Sequence, residues 1–127
     1  MSEVDLNKKM NQLKIEDFIW AVYIGIIFMS WYSNSQEREY YLKGDEKFKG
    51  RYRSIIILIF TILLFVYVYF LKDSFDELMS LKSTDTEERK KLVLLSFIGS
   101  LFICISGAIF LYIALQDEDL NVELAFN

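Results

Sequence analysis

Four side chains that could act as nucleophiles, Ser96, Ser100, Cys104 and Ser106, lie within one apolar stretch of the chain. A hydroxyl or thiol becomes a catalytic nucleophile only beside a base that takes its proton, and histidine is the usual one. The 127-residue chain has no histidine, and no Asp, Glu, Lys or Arg falls within residues 92–115, so no base lies at their depth. Thr61 stands near the middle of another apolar stretch, where its hydroxyl is expected to bond its own helix backbone. Cys104 is the one cysteine, which excludes an internal disulfide and argues against a zinc or haem site. These residue types predict no enzyme, no metal and no cofactor. What remains for them is packing and helix-to-helix hydrogen bonding.

The elements that hold them are apolar blocks. Residues 92–115 form 24 uncharged positions, a helix of about 36 Å at 1.5 Å per residue, enough to cross a hydrocarbon layer of about 30 Å. Residues 54–71 are 18 uncharged positions rich in Ile, Phe and Val. Residues 18–32 are 15 apolar positions, and the uncharged residues 33–36 extend them to 19. Hydrophobic residues make up 54% of the chain and are segregated from the charges instead of alternating with them every three or four positions. The expected fold is all-α: a single polytopic membrane domain with transmembrane helices at about 18–36, 54–71 and 92–115. Short helical extensions project beyond the lipid, and a polar tail covers 116–127. The net charge of −4 and the lack of a basic patch free of acids exclude a nucleic-acid partner.

The connections carry local signals. Residues 1–14 read as a frayed polar tail or, from the helical spacing of Leu6, Met10 and Leu13, a short surface helix, and Glu16 and Asp17 suit the positive end of a helix dipole. No small-residue cleavage pattern follows the first block, which is expected to stay in the mature protein. Gly44 is a natural left-handed C′ residue, and Asp45 a natural N-cap for the next helix. Ser74 and Glu77 have capping-box spacing and predict a short amphipathic helix presenting Phe75, Leu78 and Met79. Thr84 and Glu87 repeat that spacing before the third block. Trp20, Trp31, Tyr32, Arg51, Arg53, Tyr67, Tyr69, Arg89, Lys90 and Lys91 fall at the block ends, where aromatic and cationic side chains anchor a helix at the membrane surface.

At 100° per residue, Ser96, Gly99, Ser100, Cys104, Gly107 and Ala108 share one side of the third helix, with Ala114 beside them. Ile98, Leu101, Phe102, Ile105, Ile109 and Tyr112 share the other. Small residues let helix backbones approach closely, and in lipid that packing drives association. Such a face receives either another helix of the same chain or a second protein, a further copy or a membrane partner. Leu120, Val122, Leu124 and Phe126 alternate with polar or small residues, a strand period that could serve as a docking segment. Three crossings set eight Lys/Arg against six, which favours the N-terminus inside and the C-terminus outside.

The run EYYLKGDEKFKGRYR, followed by SIIILIFTILLFVYVYF and LLSFIGSLFICISGAIFLYIA, resembles small uncharacterised three-helix membrane proteins of low-GC Gram-positive bacteria. The resemblance implies a bacterial plasma membrane and carries no activity. The expected function is that of a structural or accessory integral membrane protein, with the bilayer and a homo-oligomer or membrane-protein partner as its contacts. A small pore former of the holin or toxin type shares its size, but would show a polar stripe that these blocks lack. A dual-topology small-molecule transporter would place an acid within the bilayer, and none of the blocks holds one.

Overall fold

The computed structural model describes residues 2–116, which form three helices: α1 (Glu3–Lys43), α2 (Glu46–Met79) and α3 (Glu87–Gln116). Among the described residues there is no strand. The alternation at 120–126 and the acids that follow α3 lie outside them. The chain divides into two compact units, Met1–Ile55 and Ile56–Asn127.

In the first unit α1 is one continuous helix of 41 residues, so the polar N-terminal segment is helical and not frayed. Ser2 explains the early start. It holds an extended backbone (φ −70°, ψ 161°), and its Oγ accepts the Asp5 backbone N–H at 3.1 Å. Glu3 and Asp5 occupy the first turn, where acids complement the dipole, and Glu16 and Asp17 sit well inside the helix. The C-terminus is closed as expected: Gly44 is left-handed (φ 67°, ψ 18°) and donates its N–H to Tyr40 O at 2.7 Å. Asp45 then caps α2, its Oδ1 accepting the Lys47 N–H at 3.0 Å. Reversal within residues 44–45 lays the start of α2 back along the end of α1. There the Ser33 Oγ donates to Tyr52 O at 3.4 Å, and the Tyr40 and Tyr52 rings meet at 6.1 Å.

In the second unit α2 runs unbroken through Met79, so the separate short helix expected after Ser74 does not form. Ser74 is no cap: its Oγ donates back to Phe70 O at 2.9 Å, which a helix-interior serine does when it lies in an apolar setting. Thr61 does the same, donating to Ile57 O at 2.8 Å as the sequence predicts. Residues 80–86 make the turn, pinned by Asp85 Oδ2 accepting the Lys82 N–H at 2.7 Å and by Asp85 N–H donating to Lys82 O. Thr86, not Thr84, caps α3, its Oγ1 accepting the Arg89 N–H at 3.1 Å.

Two helices, α2 and α3, are long and apolar enough to cross a membrane, and α1 is not among them. The third span expected at residues 18–36 is not among them for a compositional reason. Two Trp, a Gly and the polar run SNSQ dilute the aliphatic side chains there, whereas 54–71 and 92–115 are mostly Ile, Leu, Val and Phe.

The left-handed Gly44 gives a direct test. Gly44→Ala, at a conformation L-residues adopt at a cost of about 1–2 kcal/mol, should lower unfolding stability in detergent by about that amount. Gly50→Ala, in open space at the helical start of α2, should be neutral or stabilising by up to about 1 kcal/mol. Circular dichroism during thermal or denaturant unfolding reads both.

Candidate functional site

The small-residue face of α3 is divided between two surroundings. Gly107 is buried, and an added Cβ there would lie 2.8 Å from the Tyr67 ring and 3.7 Å from Leu64 Cδ1. Ser100 faces Ser74, the two hydroxyls 2.9 Å apart. Cys104 is a half-buried free thiol. Val93 and Ala114 are buried on the same line, at 6% and 0% exposure. Ser96, Gly99 and Ala108, placed on the same face by the sequence, are exposed instead, and nothing lies within 4 Å of a Cβ built on Gly99.

The division follows a period of seven. Val93, Ser100, Gly107 and Ala114 recur every seven residues on α3, as do Phe60, Tyr67 and Ser74 on α2. Helices that bury a seven-residue repeat wrap left-handed around each other at about 20°, which narrows the contact line relative to a 3.6-residue plot. The facing pairs are a stacked Phe60–Phe110 (5.8 Å), Tyr67 on Gly107, Ser74 with Ser100, and Phe75 against Phe97 (5.9 Å). Large rings of α2 thus meet small residues or rings of α3 along an antiparallel seam. Each aromatic pair contributes about 0.5–1.5 kcal/mol beyond burial. A hydroxyl pair between helices in an apolar setting adds about 0.6 kcal/mol.

The expected surface anchors separate in the same way. Trp20, Trp31 and Tyr32 are exposed, Trp20 edge-on to Tyr23 at 5.7 Å. Trp31 and Tyr32 line a shallow groove of about 260 Å³ with Phe28 and Ser35. Arg51 is exposed beside Phe48, and Arg53 is half-buried. Arg89 pairs with Asp85 at 3.6 Å, Lys90 with Glu87 at 3.3 Å and with the Ser83 carbonyl, and Lys91 is exposed. Tyr67 is half-buried, its ring packed on Gly107. Tyr69 is half-buried and edge-on to Phe70.

Sequence reasoning missed Val93, Tyr67 and Ser74 as seam residues, and Tyr52 in the first unit. Tyr52 is 1% exposed. Burial raises its phenol above the ordinary value, and the Glu37 carboxylate and Tyr41 push the same way against Lys49, so it packs as a neutral group. Among the described residues no group of three or more His, Cys, Asp or Glu could hold a metal ion. The arrangement is one for packing helices. No protein-family model, curated protein or solved structure matches the chain.

The seam separates two glycines that the sequence treats alike. Gly107→Ala should destabilise the α2–α3 hairpin by about 1–3 kcal/mol through overpacking, and adding Tyr67→Leu should recover much of the loss. Gly99→Ala should be neutral or mildly stabilising. Equal unfolding midpoints for Gly107→Ala and Gly99→Ala would contradict the assignment.

Proposed function

We propose that the chain is a small integral membrane protein of structural or accessory type, with α2 and α3 as a lipid-crossing hairpin. The observation that carries this reading is the inversion of apolar and buried surface. The most apolar windows of α2 and α3 have mean hydropathies of 2.8 and 2.5, yet only 28% and 11% of them are buried. A water-soluble protein hides its apolar helices. Here Phe65 is 74% and Phe102 64% exposed, with Ile105, Ile109 and Tyr112 in line with Phe102. Hydrocarbon is the solvent that favours such a surface.

The proposal extends to α1 as a third crossing over 18–36. Ser30, Ser33 and Gln36 are buried on it together with Ile19 and Ile26, while Ile24, Ile27, Phe28 and Trp31 are exposed. Polar groups turned inward beneath an exposed apolar surface support lipid around this segment too. With Ser100 and Gly107 occupied by α2, association with a second copy or a membrane partner falls to the exposed small residues Ser96, Gly99 and Ala108 of α3. The location is a plasma membrane, as the resemblance to bacterial three-helix proteins suggests, with the N-terminus inside. No Asp, Glu, Lys or Arg lies within 54–71 or 92–115, so proton or ion relay has no foothold there.

Alkaline carbonate washing of membranes should leave the protein in the pellet; release into the supernatant would sink the reading. In detergent, Ser96→Leu with Gly99→Leu should shift native mass toward the monomer without lowering the unfolding midpoint. Induced expression should leave a membrane-potential dye unchanged, whereas rapid depolarisation would favour a pore former.

A further inference from the structure

We infer that the tip of the α1–α2 hairpin is a binding site for an anionic phosphate group, that of an acidic phospholipid headgroup. Three cations converge on one ring: Lys43 Nζ, Lys47 Nζ and Arg51 Cζ lie 5.5, 5.1 and 5.7 Å from the centre of Phe48. Phe48 is buried at 9% exposure, and Lys43 and Lys47 are open to solvent at 63% and 59% of their side chains. Lys47 and Arg51 are four apart on α2, a spacing at which like charges repel. The left-handed turn at Gly44 brings Lys43 of α1 to the same ring. Carboxylates offset part of this charge: Glu39 pairs with Lys43 at 2.9 Å and Asp45 with Lys47 at 3.6 Å. A fourth cation–ring contact, Lys49 over Tyr40 at 5.9 Å, lies on the same hairpin.

The balance of charge points the same way. Residues 37–53 hold six Lys/Arg and four Asp/Glu, while the whole chain carries −4. The N-terminal segment 1–17, the 72–91 connection and the tail after residue 116 each carry more acids than bases. The hairpin is the one positive segment of an acidic protein. Its position selects the source of the phosphate. Arg51 and Arg53 immediately precede the apolar block that opens at Ser54, so the cluster stands at headgroup depth if α2 crosses lipid. Arg51 supplies a planar fork suited to two phosphate oxygens, and the two lysines act as point charges beside it.

This inference rests on the membrane reading, and the test keeps the two apart. The full chain, purified in a neutral detergent, is titrated with phosphatidylglycerol, phosphatidylcholine and inorganic phosphate, with bound lipid read by native mass spectrometry and stability by thermal shift. Phosphatidylglycerol should bind and raise the melting temperature, and phosphatidylcholine should not. Arg51→Gln should weaken binding about five-fold, and Lys43→Gln with Lys47→Gln and Arg51→Gln about a hundred-fold. Lys47→Arg should keep it, as should Lys90→Gln with Lys91→Gln at the other connection. Stabilisation by inorganic phosphate to the same extent would retain the anion site and assign it to free phosphate. A triple variant that folds and binds phosphatidylglycerol like the parent, or a parent that treats the two lipids alike, overturns the inference. Retention of that protein in carbonate-washed membranes would leave the membrane reading standing.

Discussion

The ring of Tyr67 occupies the space where a side chain at position 107 would begin. That contact sets how closely α2 and α3 approach, and the other pairings of the hairpin lie along the seam it defines. Phe60 reaches Phe110 on one side of it, and the hydroxyls of Ser74 and Ser100 meet on the other. Glycine is required there by space and not by backbone angle, since the only positive-φ glycine among the described residues is Gly44. In the lipid surroundings proposed for this hairpin, helices gain little from hydrophobicity by pairing, and such shape matching is what holds them together.

Much of the architecture could be read from residue order. The uncharged runs at 54–71 and 92–115 place α2 and α3, and Gly44 with Asp45 places the first reversal, because glycine and aspartate each satisfy a specific backbone need at a helix end. Thr61 behaves as an isolated hydroxyl in an apolar helix must. Other signals were ambiguous. A Ser-x-x-Glu spacing at Ser74 looks the same whether the serine opens a helix or sits inside one, and tertiary contact with Ser100 decides for the interior. Thr84 and Thr86 are both competent caps, and the turn geometry around Asp85 selects the second.

The packing face was legible as a face but not as a line. An angle of 100° per residue groups Ser96, Gly99 and Ala108 with Gly107, whereas two helices in extended contact follow every seventh residue. The repeat Val93, Ser100, Gly107, Ala114 was present in the sequence, hidden by the size of Val93 among small neighbours. Tyr67 shows a different limit. An aromatic near the end of an apolar block reads as a surface anchor, and only the partner glycine on α3 reveals that its ring is turned inward. In α1 the same limit hides Ser30, Ser33 and Gln36, whose polarity suggests an exposed helix end although all three are buried.

The tertiary contacts described above each join a helix to its immediate successor in the chain, and the reversals between them span only residues 44–45 and 80–86. A polypeptide arranged in this way can settle in the order in which it is synthesised. The start of α2 finds its place against α1 soon after leaving the ribosome, and α3 docks last onto a helix already in position. Within each of these two hairpins the partners are neighbours in sequence, so forming either one needs little search and leaves few chances for mispairing.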